Sequence, residues 1–390
     1  MQKNQLCTIM KFSKKDVVRA GIALTNDNLI NDEESFQKTM DVLTYWRDSH
    51  VFPLNNAHQL LNKFVLKVDE NAFIAKRLKR FDSIKKKLQR FEQMQLKNMQ
   101  DIGGIRVVVT TLEQVNSIFN TLAQEVYFHN NGQFIKFDNY IEKPKDDGYR
   151  SLHMVGKFNT DDHDERKIEF QIRTKLQHSW ATSLEIVDIF TGQNLKGNAG
   201  FANYQTFFKN ISDQFQIMEN LKGFKNNDKG TFLKEYLRDA ITNRKNINQC
   251  LEITEFLDRK IGNNSIEQQL KYYCETAKKI NHDLSSGKFA NGFVLIQLDT
   301  DTQKIDYDFF PKENHSEASL KYSYYEKEFS KQKHLIVTLL STDAMGGLKQ
   351  AYPNYFADSE FFLAHVKYIK MVAELIKIQR KIEKLQSSTI

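Results

Sequence analysis

The chain has 390 residues, a net charge of +7 from 56 Lys and Arg against 49 Asp and Glu, and is 40% hydrophobic and 27% charged. That length suits two domains, or one with a large helical extension, and 29 Phe with 15 Tyr exclude wholesale disorder. Cys7, Cys250 and Cys274 form no CxxC pair, which argues against a disulfide framework or a cysteine zinc site, and no apolar run approaches the ~20 residues of a membrane span.

With 16 Gly and 4 Pro, the chain favours helices over a loop-rich β fold. The mild basic excess favours polyanionic partners, nucleotides or RNA. The first residues lack the apolar core of a signal peptide, so the expected location is the cytoplasm.

Residues 10–100 read as helical, with apolar residues at helical spacing over 32–46 and again at Ala57, Leu60, Leu61, Phe64 and Val65. After Gly103-Gly104 the β-branched run 105–110 predicts a strand. A helix follows, capped by Thr111, with Val115, Ile118, Phe119 and Leu122 on one face. Strands are expected over 134–141, 151–158 and 167–174.

From 176 to 285 the pattern is helical, broken near Gly192 and Gly223. Strands follow at 293–298, 305–310 and 335–340. Thr342 or Asp343 then caps a helix ending near Tyr352-Pro353. A basic helix over 366–385 carries Lys367, Lys370, Lys377, Arg380, Lys381 and Lys384. The expected class is α+β: a mixed-sheet domain with N-terminal helices over 1–200, a helical connector over 201–288, and a small α/β domain over 289–390.

Chemistry concentrates in four segments. In 167–174, period two puts Glu169, Gln171 and Arg173 on one face and Ile168, Phe170 and Ile172 toward the core. That row can hold a metal, a base edge and a phosphate; equally, it reads as a solvated face with a Glu–Arg pair. Asp101 directly precedes the first strand. It can share Mg²⁺ with a second carboxylate, or simply cap the turn before Gly103.

Residues 75–90 hold eight basic side chains and one acid, Asp82. On a helix, Arg77, Lys79, Arg80 and Lys87 cannot share one face, so some clamp a triphosphate or the run is a solvated surface. The loop 142–153 mixes turn residues with Lys143, Lys145, Tyr149, Arg150 and His153. It reads as a nucleotide-binding loop whose Tyr stacks on a base, or as a basic turn with a core Tyr.

Together these segments resemble the RelA/SpoT (p)ppGpp synthetase domain. The resemblance rests on Asp101-Ile-Gly-Gly-Ile-Arg106, Lys143-Pro-Lys-Asp-Asp-Gly-Tyr-Arg-Ser-Leu-His153, and Glu169-Phe-Gln-Ile-Arg-Thr174 with His178. Upstream, Arg77-Leu-Lys79-Arg80 with Ser83 resembles the family's ATP-binding segment. It implies a nucleotidyltransferase-like fold and transfer of pyrophosphate from ATP to a ribose 3′-hydroxyl, with release of AMP.

Asp101 is then the Mg²⁺ ligand, and Glu169 supports the metal or takes the hydroxyl proton. Arg77, Lys79, Arg80 and Lys87 hold the ATP phosphates, and Arg106 contacts the adenine side. Tyr149 stacks on the acceptor base. Lys143, Lys145, Arg150 and His153 steady acceptor phosphates, and Gln171, Arg173 and His178 complete the site.

Two departures matter. Asp147 stands where many alarmone synthetases carry an Asn that reads guanine. No adjacent His-Asp pair occurs in the first hundred residues, so a hydrolase half is not expected.

The segment 178–193 and the C-terminal part are similar to CapRel-like fused toxin–antitoxins. Their C-terminal domain looks like a zinc finger without metal ligands and carries a Tyr-x-x-Tyr plug, matched here by Tyr352-Pro-Asn-Tyr355. That narrower resemblance implies the 3′ end of tRNA as acceptor, self-inhibition, and a phage protein as trigger at the C-terminal domain. The alternative is a small alarmone synthetase using GDP or GTP.

Overall fold

The computed structural model describes the chain apart from residues 1–10, 80, 162–163, 192–194, 196–200, 262–263, 286–291, 300–301, 303, 330–334, 342–354 and 388–390. Two compact units emerge. One comprises 1–109, 113–139 and 152–172; the other comprises 110–112, 140–151 and 173–390.

The first unit opens with α1 (Lys14–Thr25), α2 (Glu33–Asp48), α3 (Val51–Asn62) and a single turn, α4 (Val65–Val68). Ser13 and Asp16 form a reciprocal capping box that starts α1. Then come β1 (Phe73–Leu78), α5 (Phe81–Arg90), β2 (Gly103–Val109), α6 (Leu112–Leu122), β3 (His129–Asn130), β4 (Gln133–Phe134), β5 (Lys136–Asn139), β6 (Leu152–Asn159) and β7 (Glu165–Thr174). The main sheet has five strands in the order β1-β2-β7-β6-β5. The class is α+β, a mixed sheet flanked by helices.

Two expectations are corrected here. Residues 73–78 are a strand, antiparallel to β2, inside the stretch that reads as helical. Its Lys76 and Arg77 hide the β signal, yet charge is what an edge strand tolerates, and only Ala75 of β1 is buried. The strand expected over 134–141 is broken. Ile135 still donates its backbone N–H to the Phe128 carbonyl in the β3–β4 register, and from Lys136 the chain pairs with β6 instead. Before it, Asn131 and Gly132 turn the β3–β4 hairpin with φ of 52° and 77°, the left-handed pair a two-residue hairpin demands.

Helix α5 is docked by its apolar face. Ile84 and Leu88, one turn apart, join Val17, Leu24, Leu43, Trp46 and Ile102 in a core cluster. Burying those two side chains fixes the helix rotation and therefore where its lysines project.

The second unit contains α7 (Lys175–Thr191), α8 (Ala202–Asn220), α9 (Lys222–Lys225), α10 (Lys229–Thr242) and α11 (Arg244–Asp258). A short hairpin, β8 (Lys260–Ile261) with β9 (Asn264–Ser265), leads into α12 (Ile266–Ser285). A second sheet follows: β10 (Gly292–Asp299), β11 (Lys304–Pro311), α13 (His315–Phe329) and β12 (Leu335–Ser341), ordered β11-β10-β12 with both neighbours antiparallel to β10.

The terminal helix α14 (Tyr355–Ser387) begins at Tyr355 rather than at the expected Val366. Its Phe362, Val366, Ile369 and Ile376 sit in a core with Trp180, Phe208, Phe215 and Phe256 of α7, α8 and α11. The helix expected over 342–353 lies outside the described residues, as does Tyr352; the side chain of Tyr355 is likewise not described.

Candidate active site

Strand register brings the first charged cluster together. Leu78 pairs with Gly103, and the next backbone bond runs from Lys79 N–H to the Ile102 carbonyl at 2.7 Å. Lys79 therefore stands opposite Ile102, next to Asp101, and its Nζ donates to Asp101 Oδ2 at 2.8 Å. From α5, Lys87 Nζ donates to Asp101 Oδ1 at 2.9 Å. Arg77, two residues before Lys79, is close enough for its charge to oppose that of Lys79.

The sheet supplies the second carboxylate. β2 and β7 are neighbours, and the Glu169 carbonyl lies 3.8 Å from where a Cβ on Gly104 would stand. Glu169 Oε2 accepts from Gln171 Nε2 at 2.8 Å, the same-face neighbour that period two provides. His153 on β6 sits directly across from Gln171 and diagonally from Glu169, with Nδ1 3.3 Å from Glu169 Oε1.

The electrostatics of this cluster are those of a phosphate site. Burial pushes the Asp101 pKa up and Glu169 adds to that, but Lys79 and Lys87 prevail and hold it below the usual carboxylate value. Glu169 follows the same balance. Burial would raise it, yet the charge and hydrogen bond of His153, with help from Gln171 and Lys87, hold it well below the carboxylate range. Burial lowers the pKa of Lys79, partly offset by Asp101.

Two ionised carboxylates that sense each other, rimmed by lysines, are hard oxygen donors suited to Mg²⁺. No group of three or more His, Cys, Asp or Glu side chains is placed to hold a metal ion among the described residues. Further ligands must then come from substrate phosphates and water, the usual arrangement for Mg²⁺.

In the second unit, the loop 140–151 forms its own constellation. Lys145 Nζ lies 4.6 Å from the Tyr140 ring centre and 5.0 Å from that of Tyr149, whose rings meet edge-on at 6.2 Å. Tyr149 is half-buried, and its backbone N–H is capped by Asp147 Oδ1 at 2.8 Å. Lys143 is exposed.

Arg150, expected at acceptor phosphates, has another job. Its side chain is 4% exposed. It donates to Ser212 Oγ at 3.0 Å, to the Ile141 carbonyl at 2.8 Å and to Asp213 Oδ1 at 3.0 Å. The guanidinium bolts the loop to α8. Gly148 makes the close approach achievable: its φ is +91°, and a Cβ there would meet Lys209 Cα and Ser212 Cβ at 3.1 Å.

Arg173 and His178 also depart from expectation. Arg173 is 1% exposed, and its guanidinium donates to His178 Nδ1 at 2.5 Å, a pair buried within the second unit. Arg106 is buried on β2 opposite Ala75. Arg80 lies outside the described residues. The first unit thus gathers Arg77, Lys79, Lys87, Asp101, His153, Glu169 and Gln171.

Sequence reasoning missed Ser212, Asp213 and Glu219, all on α8. Glu219 is buried and accepts from Thr174 Oγ1 and from Gln177 Nε2. No local motif announces any of them.

Residues 76–186 match the family model described as the region found in RelA/SpoT proteins. The GTP pyrophosphokinase YwaC of Bacillus subtilis is 32% identical over 114 residues, which span 27% of this chain and 52% of the relative. The chain therefore spans about half the length of the curated relative it matches. Among solved structures, the small alarmone synthetase 2 of Bacillus subtilis is 23% identical, covering 47% of this chain and 98% of that one at a TM-score of 0.38. The small alarmone synthetase 1 of Bacillus subtilis, solved with its product pppGpp, is 20% identical, covering 47% and 97% at 0.39.

Proposed function

We propose that the chain is an ATP-dependent pyrophosphokinase that transfers the β,γ-pyrophosphoryl group of ATP to the ribose 3′-hydroxyl of a guanine nucleotide, GDP or GTP. The observation that carries this reading is Asp101, two residues before β2, within electrostatic reach of Glu169 on the neighbouring β7, with Lys79 and Lys87 bonded to Asp101. The matched family model and the GTP pyrophosphokinase relative support it.

In this reading the 3′-oxygen attacks the β-phosphorus, the bond from that phosphorus to the AMP oxygen breaks, and the hydroxyl proton leaves. Lys79, Lys87 and Arg77 meet the triphosphate, whose negative charge competes with Asp101 for the two ammonium groups. Asp101 and Glu169 would hold Mg²⁺, which when bound neutralises phosphate charge.

Glu169 remains ionised and accepts a hydrogen bond from the attacking hydroxyl, fixing its orientation. Its depressed pKa makes it a weak proton acceptor. The hydroxyl proton passes to solvent water. The acceptor base is assigned to the Tyr149 ring. No helix among the described residues is long and apolar enough to cross a membrane.

A second reading is carried by Asp147, which replaces the guanine-reading Asn. Here the acceptor is the 3′ end of tRNA, the chain is a translation-blocking toxin of phage defence, and a zinc-finger-like C-terminal domain restrains it through Tyr352 and Tyr355 until a phage protein binds. The deciding experiment offers γ-labelled ATP with GDP, GTP or deacylated tRNA, using Asp101→Asn as control. Label in a guanine nucleotide supports the first reading, and label in tRNA replaces it with the second. Label in neither removes the pyrophosphokinase assignment.

A further inference from the structure

The terminal helix α14 carries two apolar stripes. One, with Phe362, Val366, Ile369, Ala373 and Ile376, is buried in the core of the second unit. The other, Met371, Leu375, Ile378, Ile382 and Leu385, is 39–69% exposed. Every residue from 378 to 387 is exposed. The spacing of the outer stripe alternates four and three, the a/d repeat of a coiled coil.

We propose that this stripe is a seam through which two copies of the chain pair as an antiparallel coiled coil. Charge complementarity identifies the occupant. Glu374 and Lys381 lie seven residues apart, on the same flank of the seam. When two copies align antiparallel, a positions pack on d positions, so Leu375 of each meets Ile378 of the other and Met371 meets Ile382. Glu374 of each copy then faces Lys381 of the other, giving two complementary pairs. A parallel pair would set Glu374 against Gln379 and Lys381 against Gln386, with no charge matched.

Within one copy, Glu374 contacts Lys377 at 3.4 Å, an exposed pair three residues apart that is readily exchanged. The stripe is also narrow, only the a and d positions, with Glu374, Gln379, Lys381 and Gln386 at its flanks. A lipid surface asks for a broad apolar face instead. The first half of α14 is already folded into the core, so pairing does not have to order a free peptide. Two heptads make a small interface, so the dimer is weak and depends on concentration.

The test measures the mass of the full chain by light scattering and sedimentation across a concentration series. The expected result is a monomer–dimer equilibrium that Ile378→Asp with Ile382→Asp abolishes. Both residues are exposed, so circular dichroism and melting temperature should stay those of the wild type. Glu374→Lys alone and Lys381→Glu alone should each weaken pairing by about tenfold or more, and an equimolar mixture of the two should restore it. A wild type that stays monomeric, or an oligomer indifferent to the Asp substitutions, overturns the proposal. So does failure of the mixture to restore pairing. Capture of the monomer by phosphatidylserine vesicles through the same two isoleucines would also overturn it, assigning the face to lipid.

Discussion

Replacing Arg150 by Ala separates a clamp from a phosphate ligand. The side chain is buried and makes three hydrogen bonds, one of them to the Asp213 carboxylate. Removing one partner of a buried ion pair costs about 3–5 kcal/mol when the other is left without compensation. Asp213 is not left so: its side chain is 25% exposed, and it keeps Gln249 at 2.9 Å and Lys245 at 3.6 Å. The loss should therefore fall to about 2–3 kcal/mol, or roughly 5–10 °C of melting temperature for a unit of this size. Asp213→Asn should cost less, and the double variant should show a coupling of about 1 kcal/mol or more. The assay is thermal unfolding of the four proteins beside steady-state kinetics. Loosening the loop that carries Tyr149 should raise the acceptor KM more than the ATP KM. If Arg150→Ala melts with the wild type and only the acceptor KM rises, the guanidinium binds ligand and the clamp is wrong.

Asp101→Asn and Glu169→Gln should each lower transfer by about a hundredfold or more while the circular dichroism spectrum is retained; a variant with near wild-type turnover sinks the carboxylate pair. Gly148→Ala should destabilise by about 1–3 kcal/mol in chemical denaturation, because a left-handed φ and two close contacts both oppose the new methyl. His50 sets an acid limit. Burial lowers its pKa from 6.5 to about 4, and its Nδ1–H donates to the Trp46 carbonyl at 2.7 Å. The unfolded chain takes up a proton below pH 6.5 that the fold refuses until about pH 4. Stability should be full above that window and fall by about 3 kcal/mol across it as pH drops. His50→Gln should flatten that part of the stability profile, and an unchanged slope would refute the assignment.

The parts of the fold legible in the sequence are those where hydrophobic period is undisturbed. The runs that form β2 and β6, buried on both faces, and the alternating β7 read directly, and α6 shows its stripe of Val115, Ile118 and Leu122. Strand β1 was illegible because an edge strand may carry charge, so its lysine and arginine mimic a helix surface. The site was half legible. The family resemblance names Asp101, Lys79, Lys87 and Glu169, but the ladder register that sets Lys79 opposite Ile102, next to Asp101, belongs to strand pairing. The clamp was invisible, since Ser212 and Asp213 lie more than sixty residues beyond Arg150 and carry no pattern. Those same distant bonds point to a clamp where the sequence alone reads Arg150 as a ligand.

Lys145 rests over both tyrosines of its loop, at 4.6 and 5.0 Å from their centres. A nucleobase arriving on the Tyr149 face finds that face already tenanted by a cation. The two occupants compete for one π-surface, so base stacking and eviction of the ammonium are a single exchange. The displaced lysine is flexible and still charged, and a nucleotide brings its own phosphates with it. A bare nucleobase would have to evict the cation without offering it a new counter-ion, whereas a nucleoside polyphosphate offers one. Under the proposed function, the loop would discriminate by the charge a ligand carries as well as by the ring it presents.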